Sequence, residues 1–269
     1  MKKIEEKEAK NILVSILKYF DKFCRDRGFH YSVAGGTLIG ALRHKGFIPW
    51  DDDIDVFMPR EEYTRFLKEF KSERYRLFKI EKKSWWYFGS SRITDPTTIV
   101  YWDWDNTTPH HGLWLAVLPI DGYPGDKIWN KQLKSLLFWD ALVRLKQSPW
   151  VDEVSIPRNI MKKLGQFMLY PVSNYYIGKK IQSILCKYPI GTTEELGNNA
   201  TYKLCKDYIP HHFPGDCMDE YIDVEFEGLK VMAMAGYDKY LTKIFGDWRQ
   251  LPPEDQRVSH GITAYYIDE

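Results

Sequence analysis

The sequence predicts an α+β fold, a mixed sheet flanked by helices, and three features carry that expectation. A short strand-like stretch runs into a Gly-Gly-Thr step that opens a helix. A second strand-like stretch carries alternating aspartates, Asp53 and Asp55. A long basic segment with helical character, residues 127 to 187, interrupts the mixed pattern on either side of it.

The elements follow in order. Residues 9 to 26 read as a helix, because Ile12, Leu13, Ile16, Leu17, Phe20 and Phe23 recur at three- and four-residue spacing. Gly28 is a stop signal just beyond it. Tyr31 to Ala34 reads as a strand, Leu38 to Leu42 as a helix, and Arg43 to Trp50 as a loop. Asp53 to Met58 is a strand. Pro59 suits the first position of the next helix, whose buried face is Tyr63, Phe66, Leu67 and Phe70. Residues 75 to 118 look strand-rich, with turns at Asp95-Pro96 and Thr108-Pro109 and a buried strand from Leu113 to Leu118. A turn follows at Ile120 to Gly125. The basic segment reads as helices joined at Pro149, Pro157 and Pro171, and the mixed pattern returns from about Thr192. The organisation expected is a catalytic core over 1–125, a basic helical insertion over 126–190, and a C-terminal part, 191–269, that completes the core.

Composition bounds the partners. The 269 residues hold 38 basic and 37 acidic side chains, so nothing in the total charge calls for nucleic acid. The charge is unevenly spread: residues 127 to 187 hold eleven Lys or Arg against three Asp or Glu. Together with Trp129, Phe138, Trp139, Trp150, Phe167, Tyr170, Tyr175 and Tyr176, that balance suits peripheral contact with an anionic membrane surface. The alternative is that these aromatics pack the insertion onto the core. The four cysteines form no Cys-x-x-Cys pair and fit reduced thiols in a cytoplasm. The charged N-terminus does not read as a signal peptide, and no apolar run is long enough to span a bilayer. A cytoplasmic location is expected, with the inner face of the membrane as a further possibility. Cys205, His211, His212 and Cys217 suit zinc by residue type, but their spacing fits no standard pattern. A buried thiol beside exposed histidines is the alternative.

Asp51-Asp52-Asp53-Ile54-Asp55 is the most informative stretch. Side chains alternate along a strand, so Asp53 and Asp55 share a face, roughly 7 Å apart. Such a pair converges on a hard divalent cation, Mg²⁺ or Mn²⁺, of the kind that accompanies phosphate substrates. A solvated acidic loop is the plainer reading. Asp52 points the other way, and it joins Asp51 as a supporting neighbour. Gly35, Gly36 and Thr37 let a phosphate approach the backbone at a helix N-terminus. Strand, Gly-Gly-Thr, helix, then an Asp-x-Asp strand is the order a nucleotidyltransferase fold uses. Arg43, His44 and Lys45 lie between the two motifs and are candidates to clamp a diphosphate. Arg92 reads as a salt-bridge partner of Asp95. His260 is a surface residue or packs near a nucleotide.

The run from Ser32 through Gly35-Gly36-Thr37, Arg43-His44-Lys45 and Trp50 into the Asp cluster and Met58-Pro59-Arg60 closely resembles the signature of LicD-type proteins. The resemblance continues through Arg92, which it makes a further phosphate candidate, Asp95 and Thr97, then Leu118-Pro119-Ile120-Asp121-Gly122. It returns at Phe226-Glu227-Gly228, Gly236-Tyr237-Asp238, Phe245-Gly246-Asp247-Trp248 and Leu251-Pro252-Pro253. Those proteins transfer phosphocholine from CDP-choline to sugars of bacterial surface glycopolymers, and the fukutin group of ribitol-phosphate transferases is similar. The resemblance implies a nucleotidyltransferase-like sheet with metal on Asp53 and Asp55. It implies attack at the choline-bearing phosphorus, release of CMP, and an acceptor hydroxyl on a lipid-linked teichoic acid or lipopolysaccharide glycan. Choline, a quaternary ammonium, calls for aromatic faces. Trp85, Trp86, Tyr87, Trp102, Trp104 and Trp114 are the candidates, with Asp103 and Asp105 interleaved; each is otherwise a core residue. Transfer of a polyol phosphate is the alternative chemistry.

One position departs from the family. Ala116 stands in the strand where the family carries a further Asp, the carboxylate that completes the metal site or takes the acceptor proton. Either Asp121, Asp103 or Asp105 substitutes for it, or the chain is an inactivated variant or a binding protein.

Overall fold

The computed structural model describes residues 1–82, 84, 86, 88–102, 111–148, 155–259 and 261–267. Its centre is β6 (Trp114–Tyr123), every residue of which is buried. The neighbours of β6 are β2 (Ile54–Pro59), which is parallel to it, and β4 (Ser91–Thr94), which is antiparallel. Outside these lie β1 (Ser32–Val33) on β2 and β3 (Arg76–Phe78) on β4, both antiparallel. The sheet is therefore mixed, and the fold is α+β as the sequence predicts.

Helix α1 (Glu6–Asp26) buries Leu13, Ile16, Leu17, Phe20 and Phe23, the face its spacing predicts. It ends as expected at Gly28, whose φ of 63° closes a Schellman motif. Phe29 N–H reaches Cys24 O at 2.9 Å and Gly28 N–H reaches Arg25 O at 3.3 Å. Helix α3 (Arg60–Glu69) brings Phe66 edge-on to Phe20 and Phe23 of α1. Pro59 caps α3 rather than opening it. Helix α2 (Gly35–His44) starts at the glycines themselves, three residues before the expected start.

β6 runs through the turn expected at 120–125. β7 (Glu195–Gly197) pairs with its second half, Asp121 facing Gly197 and Tyr123 facing Glu195, so the backbone stays extended to Tyr123. The bend comes at Gly125, with φ 84°. β5 (Thr98–Trp102) pairs with a strand from the chain's end, and β8 (His212–Pro214) extends the sheet from β7. β9 (Tyr221–Phe226) and β10 (Leu229–Met234) form a hairpin. Its two loop residues, Glu227 and Gly228, both have positive φ, the geometry of a type I′ turn. Glu227 accepts from Phe47 N–H at 3.1 Å and its own N–H donates to Lys45 O at 2.8 Å, so the hairpin tip holds the loop that leads into the Asp cluster. Helix α7 (Tyr237–Phe245) follows, and the last strand, β11 (Ile262–Tyr266), is the partner of β5.

The basic segment forms α4 (Asp126–Gln147), α5 (Ile156–Met168) and α6 (Asn174–Leu185). Pro171 lies between α5 and α6 as predicted. Pro157 does not join helices: it sits in the first turn of α5, where a missing N–H costs nothing. Pro149 lies outside the described residues. Trp129, Leu133, Leu136, Val143, Ile177, Ile181 and Leu185 make a second apolar core distinct from that of the sheet. Among the described residues, no helix is long and apolar enough to cross a membrane.

Candidate active site

The site is built where α2 begins and β2 begins. Ile54 and Val56 are buried while Asp53 and Asp55 are partly exposed, which is the alternation expected of a strand with one wet face. The backbone of Asp55 is held on both sides. Its N–H donates to Thr37 Oγ1 at 3.0 Å, and its carbonyl accepts from Ala34 N–H at 3.0 Å. Thr37 is itself buried. The strand, the Gly-Gly-Thr step and the Asp-x-Asp strand are thus one hydrogen-bonded unit, and Thr37 aims a carboxylate rather than only lining a phosphate cradle.

The two glycines have different reasons. Gly35 takes φ 52°, and its N–H donates to the Tyr240 hydroxyl at 3.2 Å. Gly36 lies against Asp51: a Cβ there would stand 2.5 Å from Asp51 Oδ2. The close approach that Gly36 permits is therefore filled by a carboxylate, which suits the positive end of a helix. Tyr240 is a residue the sequence reading missed. It is buried between Phe57 and Phe213, and burial, with the nearby Asp55 charge adding to it, pushes its hydroxyl well above the usual tyrosine range. Its signal was the apolar face of the helix that opens after Gly236.

Across the sheet, register makes a row. Asp55 pairs with Ala116, and Ala116 pairs with Arg92. Paired residues share a face, and neighbouring strands lie about 4.8 Å apart, so Ala116 stands directly between the carboxylate and the guanidinium-bearing residue. Two carboxylates on this face are the hard oxygen donors an Mg²⁺ ion takes when substrate phosphates and water fill its remaining positions. The residues present fit such an ion.

Several expectations need correction. Asp121 is not a substitute for the missing carboxylate. It lies five residues beyond Ala116, roughly 16 Å along the strand and on the opposite face. There it is fully buried and takes two hydrogen bonds from Arg60, at 2.8 and 2.6 Å. Burial opposes the charge on Arg60, but the bonds and charge of Asp121 outweigh it and hold the guanidinium protonated.

Arg43, His44 and Lys45 are carried to the far end of α2, about 12 Å from its glycines. Arg43 Nη1 donates to the carbonyls of Trp248 and Gln250, both at 3.0 Å, and its Nε to His44 Nε2 at 3.0 Å. Burial and then the Arg257 charge lower the Arg43 pKa, and burial and then Arg43 lower that of His44. Lys45 takes the left-handed backbone that ends the helix. Arg43 thus ties the end of α2 to the C-terminal loop, and the Lys45 carbonyl ties it to the hairpin tip.

Of the aromatic candidates, Trp85, Tyr87 and Trp104 lie outside the described residues, as do Asp103, Asp105 and His260, and Trp102 is described only as backbone of β5. Trp86 and Trp114 are buried, and both rings face the Arg92 guanidinium, at 5.5 and 4.3 Å. Arg92 Nη1 also lies 2.6 Å from His111 Nε2. The cation these two buried indoles face is the chain's own Arg92. Asp95 does not need Arg92: its carboxylate accepts from the Thr97 N–H at 2.9 Å and hydroxyl at 2.6 Å. His212 pairs with Glu195 at 2.7 Å, Cys205 Sγ donates to Thr201 O, and Cys217 is buried. Among the described residues, no group of three His, Cys, Asp or Glu side chains is arranged to hold a metal, so the suggested zinc set does not assemble there.

Residues 28–151 match the family model described as LicD/FKTN/FKRP, nucleotidyltransferase domain. That span contains the glycine step, the aspartates, Ala116 and Arg92. The chain is 31% identical over 280 residues to the lipopolysaccharide cholinephosphotransferase LicD of Haemophilus influenzae, covering 99% of this chain and 100% of that protein. An uncharacterized protein of Rickettsia typhi is 36% identical over 78 residues, 28% of this chain and 25% of its own length. A relative matched from end to end, with the family signature falling on the hydrogen-bonded unit around Asp55, leaves one assignment: the chain belongs to the LicD family.

Proposed function

We propose that the chain is a phosphotransferase that moves phosphocholine from CDP-choline to a sugar hydroxyl of a bacterial surface glycan, a lipopolysaccharide or a teichoic acid. End-to-end kinship with a lipopolysaccharide cholinephosphotransferase carries this reading. The carboxylate face supports its chemistry. Asp53 and Asp55 would hold Mg²⁺ or Mn²⁺, which when bound neutralises charge on the phosphate oxygens of the donor. Thr37 and Ala34 keep Asp55 in place, and the α2 N-terminus offers its remaining positive potential to a phosphate. The acceptor hydroxyl attacks the choline-bearing phosphorus and CMP departs. Arg92, held by Trp86 and Trp114, would meet negative charge on that face. Trp85, Tyr87, Trp102 and Trp104 are the remaining aromatic residues for choline recognition. A lipid-linked glycan would bring the acceptor to the inner face of the cell membrane.

A second reading is favoured by Ala116. With no carboxylate at that position to take the acceptor proton, the chain would hold the donor and work as a binding protein or a slow enzyme. Calorimetry separates the possibilities. CDP-choline should bind with Mg²⁺, and Asp53→Ala and Asp55→Ala should each abolish the metal-dependent part with the fold intact. CDP-choline should also bind more tightly than its ethanolamine analogue, by about 1–2 kcal/mol of cation–π attraction. Equal affinity for CDP-ribitol would move the reading to polyol-phosphate transfer, and unchanged affinity in both Asp variants would remove the metal site.

A further inference from the structure

Helix α5 is inside out. Its packed side is polar: Asn159 is 1% exposed, and Gln166 Nε2 donates to the carbonyls of Leu145 and Ser148, at 3.0 and 2.7 Å, where α4 ends. Gly165 lets the backbone lie close on Leu145, since a Cβ there would stand 3.0 Å from Leu145 Cδ2. Its outward side is apolar. Ile160, Met161, Leu164, Phe167 and Met168 are all exposed, Phe167 by 79%, and Tyr170 follows just past the helix end at 86%. At 100° per residue these apolar side chains, with Ile156, fill one arc of roughly 140°. Lys163 borders one edge of that arc and Arg158 the other, and Lys162 lies beyond. An apolar residue exposed singly is ordinary, but a continuous stripe along a whole helix facing away from its own protein is not.

We propose that α5 lies in the surface of an anionic bilayer, its apolar stripe among the acyl chains near the headgroups and its basic flanks on lipid phosphates. The stripe has the composition of an interfacial helix: bulky apolar residues, an aromatic at the boundary, and cations at the rim. The charge of the surrounding segment selects the partner. Eleven Lys or Arg against three Asp or Glu over residues 127 to 187 attract anionic headgroups. The same charge opposes a second copy, because a twofold interface through α5 would set two basic segments face to face. At 13 residues the helix is too short to span and long enough to lie flat. This placement goes beyond phosphocholine transfer and does not depend on it.

Flotation tests it on the full chain without any transfer chemistry. Vesicles of phosphatidylglycerol and phosphatidylcholine should carry the protein up the gradient at low salt, and phosphatidylcholine alone should carry far less. Leu164→Glu with Phe167→Glu should lower partitioning at least ~10-fold. Arg158→Glu with Lys163→Glu, at the two edges of the stripe, should lower it less and weaken its salt dependence. Both variants replace exposed side chains, and thermal melting should show them folded. No flotation with anionic vesicles at low salt overturns the proposal, as does flotation indifferent to the Leu164 and Phe167 changes. A dimer in sedimentation that those changes dissolve, with no vesicle binding, overturns it in favour of a second copy.

Discussion

The β2–β6 pair carries an aspartate near each end, and the two have opposite fates. At one end Asp55 stands partly exposed beside Ala116, its backbone fastened but its carboxylate turned to the open face. At the other end Asp121 is fully buried, with both oxygens on Arg60. The residue type and the strands are the same; depth and partner differ. A carboxylate surrounded by water and phosphate can accept a metal. One that is buried already has its cation, and removing that cation would strand a charge in the core. The two ends therefore divide the labour: one assembles a reacting centre, the other locks β6 to the start of α3.

The largest effect expected separates the ends directly. Asp121→Ala leaves the Arg60 guanidinium buried without its carboxylate, which costs about 3–5 kcal/mol when a buried pair loses one member. Chemical denaturation should show that loss, while Mg²⁺-dependent CDP-choline affinity of the folded protein stays within a factor of about two, since the residue lies roughly 16 Å along the strand from position 116. A variant of unchanged stability that no longer binds the donor would put Asp121 back at the site.

What the sequence made legible follows the same division. Period-2 alternation identified the shared face of Asp53 and Asp55, because one wet face is a local property of a strand. Apolar spacing found α1, and the glycine step found α2. Partners far along the chain were not legible. Nothing near Arg43 says that its guanidinium meets the carbonyls of Trp248 and Gln250. The helix between the glycines and Arg43 separates groups that read as adjacent. Trp86 and Trp114 have the right chemistry for a quaternary ammonium, but the cation that reaches them comes from Arg92, two residues from Thr94, the register partner of Trp114. The basic charge and the aromatics of the segment around α5 were visible, but which side of that helix faces the protein was not, since composition carries no direction.

The next effect is at the open end. Ala116→Asp restores a carboxylate between Asp55 and Arg92, on the face where an acceptor hydroxyl would lose its proton. Turnover, read as CMP release in the presence of acceptor, should rise at least ~10²-fold, the low end for general acid–base catalysis. The new charge is repelled by Asp55 and attracted by Arg92, so donor binding should change less than turnover. A chain that already releases CMP as fast as its Asp variant has another proton acceptor, and Ala116 is then no handicap.

The smallest effect sharpens the comparison at its hinge. Thr37→Val keeps the shape of the side chain and removes the oxygen that accepts from Asp55 N–H. The bond is only partly buried, so water can replace the lost acceptor, and stability should fall by about 1 kcal/mol, less than for a fully enclosed donor. Aim should suffer more than stability. Asp55 is then held on one side alone, by Ala34, and its carboxylate samples positions that a metal and a phosphate cannot both use. Donor affinity in Mg²⁺ should drop several-fold, affinity without metal should not move, and Thr37→Ser should restore the first because it returns the hydroxyl without the methyl group. A Thr37→Val protein that loses stability but binds the metal and donor as before would make Thr37 a packing residue, and the precise aim of Asp55 would have to come from β6.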